Sequence, residues 1–192
     1  EGCPAASPAR NFINLVTVQR LKHRKRGSAL LEVVAAAKKN IPDGHTLRVT
    51  FVGDGPRRSA LERQAYRLGV DAKFLGAMPR EAVREVLRNS DVFILPSTRE
   101  AFGLSALEAR AVGLPVVAFR TGSLPEIVPD GVAGLLVDTD QEMADALTRL
   151  ARDRGLLLRL REGSVRNPPP FDWPLVVEEH ERIYREASGS RG

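Results

Sequence analysis

Two carboxylates and the residues between them carry the strongest chemical signal in the chain: Glu100-Ala-Phe-Gly-Leu-Ser-Ala-Leu-Glu108. Glu100 precedes a helical stretch and Glu108 falls about two turns inside it. A rise of about 1.5 Å per residue separates them by roughly 12 Å or less, a span from a sugar to a ribose across a pyrophosphate. Between them, Phe102, Gly103 and Leu104 would present backbone N–H groups at a helix N-terminus, which favours an anion. The plainer reading is a capping box between Ser105 and Glu108, with Glu100 simply exposed. A second cluster, Gln19-Arg-Leu-Lys-His-Arg-Lys-Arg-Gly27, follows an apolar run. Such runs are usually solvated charge. At the carboxyl end of a strand and just before a helix, however, an Arg fork can clamp a diphosphate. A third segment, Gly53-Asp-Gly-Pro-Arg-Arg58, begins like a dinucleotide fingerprint. Arg58 replaces the third glycine, which close helix–strand packing needs, and this excludes an NAD reading. What remains is a tight turn into a helix, structural or phosphate-facing.

The elements that must position these residues alternate in type. Phe12 to Val18, Thr46 to Val52, Ala72 to Leu75, Asp91 to Leu95, Pro115 to Phe119 and Gly134 to Val137 read as strands. Several are continuously apolar, as strands buried on both faces are. Between them lie helical patterns at Ser28 to Asn40, Pro56 to Leu68, Pro79 to Asn89, Phe102 to Val112 and Ser123 to Val128. The alternation predicts an α/β fold: a Rossmann-like, doubly wound parallel sheet of about six strands flanked by helices. Gly69 and Gly113 suit left-handed helix ends, Pro56 and Pro79 suit first turns, and Ser123 to Glu126 has capping-box spacing. Asp140 to Arg152 and Arg154 to Gly163 read as further helices, with Asp140 as the N-cap of the first. The prolines of Asn167 to Phe171 predict an extended linker. Beyond it a last helix carries Trp173, His180 and Tyr184 on one stripe, where a packed histidine is the ordinary case and implies no catalysis.

Composition narrows the function classes. The 192 residues carry a formal charge of +5 and only 5% aromatics. The charge favours anionic partners, while the absence of basic stretches interleaved with stacking residues argues against nucleic acid. The single cysteine, Cys3, cannot form an internal disulfide, and a reducing cytoplasm fits it. No Cys/His cluster has zinc spacing. Asp138-Thr-Asp140 precedes a helix, and capping explains it better than a metal. No G-x-S-x-G elbow supports a hydrolase.

The Glu100 to Val117 stretch resembles the E-x7-E signature of family 4 retaining glycosyltransferases, which have the GT-B fold. Val52-Gly-Asp-Gly-Pro, Phe74-Leu-Gly, Asp91-Val-Phe-Ile-Leu-Pro-Ser, Thr121-Gly-Ser-Leu-Pro-Glu-Ile-Val and Asp130-Gly-Val-Ala-Gly-Leu-Leu-Val fall in family order. The resemblance extends over roughly Asn11 to Arg185. It implies a domain that binds a UDP- or GDP-sugar, with transfer to a hydroxyl acceptor, retention of configuration and no metal or other cofactor. Arg20 and Arg26 would neutralise the diphosphate and Glu100 would contact the sugar. Phe102, Gly103 and Leu104 would meet sugar and phosphate, and Glu108 would accept from ribose hydroxyls. Gly53 would belong to the donor site, and Ala77 and Met78 would lie along the base. Three residues depart from the family pattern. Gln19 and Ala101 replace glycines, and Arg26 replaces a lysine for which Lys25 could substitute.

The implied organisation is a leader over residues 1–10, a donor-binding domain over 11–166, and a linker with a C-terminal helix over 167–192. That helix would pack on an N-terminal acceptor domain not contained in this chain, whose first residue is Glu1. The expectation is thus a domain fragment, inactive alone, working in the cytoplasm, with a basic surface compatible with the inner face of a membrane. The competing readings are a sugar-nucleotide epimerase of the same architecture and a non-catalytic sugar-nucleotide-binding module.

Overall fold

Six apolar segments form a single sheet in the computed structural model, which describes residues 11–169. They are β1 (Phe12–Val18), β2 (Thr46–Val52), β3 (Asp71–Gly76), β4 (Val92–Leu95), β5 (Val116–Phe119) and β6 (Gly134–Val137). All pair in parallel, in the order β3-β2-β1-β4-β5-β6. Strands joined in parallel need crossovers, and the helices supply them: α1 (Gly27–Lys38), α2 (Arg58–Leu68), α3 (Arg80–Arg88), α4 (Leu104–Ala111) and α5 (Leu124–Ile127). Two longer helices follow, α6 (Asp140–Arg152) and α7 (Arg154–Arg166). The doubly wound architecture expected from the alternation is the one observed.

The two-residue period of a strand divides the core between two layers. Val92 and Ile94 of β4, with Val117 and Phe119 of β5, face a cluster containing Leu30, Val34, Leu61, Leu147 and Leu157 of α1, α2, α6 and α7. The alternate residues Phe93, Leu95, Val116 and Ala118 face Leu87, Ala106, Ala109, Leu124 and Ile127 of α3, α4 and α5. Phe51 and Phe74 stack with centroids 4.7 Å apart and join β2 to the edge strand β3. Because the sheet is covered on both faces, the carboxyl ends of β1 and β4, where the winding reverses, are left open as the crevice.

Several local details differ from the sequence expectations. Pro79 is the residue before α3, with ψ 154°, and α2 begins at Arg58, so neither proline lies inside a first turn. Thr139 rather than Asp140 caps α6: its hydroxyl accepts from the Glu142 amide at 3.1 Å, which leaves the Asp140 carboxylate free for another partner. Ser123 precedes α5 without capping it, its hydroxyl donating instead to Ala101 O at 3.0 Å. Gly69 does close α2 in the left-handed conformation, with φ 61°. The helix expected over Asp172 onward lies outside the described residues, as do Cys3, Trp173, His180 and Tyr184. Among the described residues, no helix is long and apolar enough to cross a membrane.

Two arginines lock α7 in place. Arg110 of α4 is 1% exposed. Its guanidinium donates to Ile127 O at 3.2 Å and Ser164 O at 3.0 Å, and to the Ser164 hydroxyl and Asn167 O. Burial pulls its pKa below the usual arginine value, yet a guanidinium remains cationic across the physiological range. Arg161 of α7 donates to Ser90 O at 3.4 Å and lies 4.0 Å from Asp91. Asp91 in turn accepts from the Asn14 amide at 2.8 Å, tying the start of β4 to β1.

Candidate functional site

The crevice is built from two loops, 19–26 after β1 and 96–103 after β4. Close backbone contacts hold both in place, and glycine permits them. At Gly53, φ is 119°, and a Cβ there would lie 2.1 Å from Gln19 O. Gly53 also donates to Gly76 O at 2.7 Å, so the loops after β1, β2 and β3 form one stack. At Gly122, φ is 55°, and a Cβ would lie 1.9 Å from Glu100 O. The glycine after β5 therefore sets how deeply Glu100 sits. Sequence reading singled out Gly53 but attached no contact to Gly122, because only tertiary proximity shows that its partner is Glu100.

The first loop turns sharply before α1. A short 3-10 turn, His23–Lys25, ends at Arg26, where φ is 56°. Adjacent side chains consequently leave in different directions. The Lys25 ammonium reaches across the crevice to the Glu100 carboxylate at 2.8 Å. Arg26 turns away: it donates to Asp140 at 2.6 Å and to Pro96 O at 3.2 Å, and its guanidinium lies 5.1 Å from the Phe119 ring centroid. Arg20, the other expected diphosphate ligand, is exposed and has no side-chain partner among the described residues. Gln19 is buried, and neither polar atom of its side chain has a partner among the described residues, so burial of the amide there carries a cost.

The second loop delivers the helix. Gly103 is the N-cap of α4 in the left-handed conformation, φ 62°, and no side chain caps this end. The Leu104 and Ser105 amides, the first two of α4, thus sit where no helical carbonyl can accept from them. The capping-box alternative for Ser105 and Glu108 fails, because the helix starts at Leu104 and Gly103 O receives the amides of Ala106 and Leu107. Phe102 and Leu104 are 62% and 50% exposed, an apolar rim on an otherwise polar mouth. Glu108 is half-buried on α4 and lines a groove of about 390 Å³ with Arg80, Glu81, Arg84, Leu87 and Val112. Ala77 is exposed and Met78 packs against the core between β3 and α3, close in sequence to Arg80 on the same groove.

Some other charges near the carboxyl edge are paired. Arg120 donates to Asp130 at 2.7 Å and lies 3.8 Å from Asp138. Burial would raise the Asp130 pKa, but the Leu136 amide and Arg120 outweigh that and hold it below the usual carboxylate value. Asp138 and Asp140 thus face different arginines. Among the described residues, no group of three or more His, Cys, Asp or Glu side chains could hold a metal ion.

The fold is a Rossmann-like domain, the architecture of one half of a GT-B protein. The chain belongs to the family of glycosyl transferases group 1, which matches residues 7–165. It is 38% identical over 178 residues to D-inositol 3-phosphate glycosyltransferase of Saccharomonospora viridis, covering 88% of this chain and 41% of the relative. The chain therefore spans about two-fifths of that relative's length. Among solved structures it is similar to HepE of Anabaena in complex with UDP and glucose, with TM-score 0.73, 26% identity and coverage of 93% of this chain and 48% of that one. It is also similar to the C-terminal domain of the group 1 glycosyl transferase LpcC of Francisella tularensis. There the TM-score is 0.68 and identity 27%, over 79% of this chain and 82% of that one.

Proposed function

We propose that this chain is the donor-binding domain of a retaining glycosyltransferase that takes a UDP- or GDP-sugar and passes the sugar to a hydroxyl acceptor. The observation that carries the reading is the meeting of Glu100, the uncapped N-terminus of α4 and the cationic loop after β1 at the reversal point of the sheet. Anionic diphosphate is matched there by fixed helix amides and by Arg20 with the cationic end of its loop. Charge that builds on the departing diphosphate meets dipoles already oriented toward it, which is how such a site lowers a barrier. Glu100 accepts from a sugar hydroxyl, Glu108 accepts from the ribose, and the loop at Ala77 and Met78 borders the base. In this reading Arg20, its loop and the α4 amides take the counter-charge role that a divalent metal would otherwise fill. The acceptor site belongs to an N-terminal domain, and the exposed rim of Phe102 and Leu104 is suited to facing it.

Calorimetric titration with UDP, GDP and ADP and their sugars, with and without magnesium, tests the proposal. Binding of a uridine or guanosine diphosphate sugar without magnesium is expected. Binding of none, or binding strictly dependent on the metal, overturns it.

A further inference from the structure

Resting on the donor-site reading above, with Lys25 in the place of the family's lysine, we propose that the Lys25–Glu100 ion pair is a latch exchanged on donor binding. The neighbouring cations differ in what holds them. Arg26 is committed at three places at once: Asp140 of α6, the carbonyl of Pro96 after β4, and the face of Phe119 at the end of β5. Its left-handed backbone, the only non-glycine positive φ among the described residues, aims the side chain at that corner. Turning Arg26 to a phosphate would break all of these contacts together. Lys25 has one described partner, the Glu100 carboxylate at 2.8 Å, and both side chains retain solvent contact, at 27% and 15% exposure. An ammonium on a flexible four-carbon stem can swing between acceptors, whereas a seated guanidinium fork cannot.

The pair closes the crevice between the two loops that form it. A diphosphate offers more negative charge than one carboxylate and draws Lys25 off Glu100. Glu100 is then left charged, half-buried and unpartnered. With a bare nucleoside diphosphate nothing at the phosphate end of the ligand replaces the lost contact, because the diphosphate supplies acceptors only. With a nucleotide sugar, a sugar hydroxyl donates to the released carboxylate. The latch therefore opposes bare nucleotide more than intact donor, favouring release of the nucleoside diphosphate once the sugar has gone.

The test is calorimetric titration of the chain with UDP or GDP, whichever binds tighter, and with its glucose conjugate. The variants are K25M, E100Q, the K25M/E100Q double and R26M. K25M is expected to weaken nucleotide binding by about tenfold or more. E100Q is expected to tighten bare nucleotide by about threefold while lowering the preference for the sugar conjugate, and the tightening vanishes in the K25M background. R26M lowers the melting temperature but leaves nucleotide affinity within about twofold. Nucleotide binding lost in R26M and intact in K25M, or an equal E100Q gain in both backgrounds, overturns the latch and leaves the donor site standing. No binding of any nucleotide or conjugate to the unaltered chain overturns both.

Discussion

The arginines around α7 and the cations of the β1 loop show two ways of holding positive charge. Arg110 is fully buried and bonded to main-chain carbonyls and a serine hydroxyl, and Arg161 beside it is nearly so. None of Arg110's carbonyl acceptors can leave without unfolding the helix or turn that carries it. Lys25 is bonded at the rim to a single side chain that can move away. Fixed acceptors make a cation into structure, and an exchangeable acceptor leaves it available to a ligand. Arg26 lies between the two, at the rim but held by α6, β4 and β5 together.

Substitutions can break or sharpen this contrast. Arg110→Met should have the largest effect, about 3 kcal/mol of stability, because the carbonyls of Ile127, Ser164 and Asn167 lose their donor inside the fold. Urea denaturation would show it, and a loss close to zero would place Arg110 with the exchangeable cations. Gly122→Ala should follow at about 2 kcal/mol, combining left-handed strain with the approach of its Cβ to Glu100 O. Here donor affinity should fall as well, since the loop bearing Glu100 is displaced. Titration of a folded Gly122→Ala variant that binds normally would show that Glu100 is held by something else.

Glu100→Ala should lower the preference for a UDP- or GDP-sugar over the bare nucleotide about tenfold, the loss of one charge-assisted hydrogen bond to the sugar. Equal losses for both ligands would remove the sugar-contact role. The smallest effect belongs to Asp130, whose pKa is depressed in the fold. A depressed carboxylate contributes stability above its unfolded value, about 3.9, and loses it as pH falls through the folded value. The urea midpoint of the unaltered chain should therefore drop below about pH 4, and Asp130→Asn should flatten part of that drop. Because Asp130 and Arg120 are both well exposed, the difference should be slight.

Much of the architecture is legible from pattern alone, and the reason is local. β1, β2 and β6 have the bounds that their apolar runs predict. Gly69 ends α2 where left-handed geometry was expected. The errors fall at element ends: competing caps lie close together at helix starts, so Thr139 displaces Asp140 and Ser123 spends its hydroxyl on Ala101, while α7 runs on past Gly163 to Arg166. At the site, spacing and family pattern single out Arg20, Glu100, Gly103 and Glu108, and the fold places Glu100 and Gly103 on the loop that faces Lys25. The partner of Lys25 could not, since seventy-odd positions of chain separate it from Glu100.

By itself, then, the sequence determined the alternation of buried strands and helices, the crevice that such an alternation leaves open, and the set of charges beside it. Tertiary structure alone decided which charge pairs with which. A single left-handed residue at Arg26 sends two adjacent cations to different partners, Glu100 for Lys25 and Asp140 with Pro96 O for Arg26. Backbone approaches at Gly53 and Gly122 set the depth of Gln19 and Glu100. Side-chain type and spacing are properties of the chain, but whether a cation's partner can leave depends on what the fold packs around that partner.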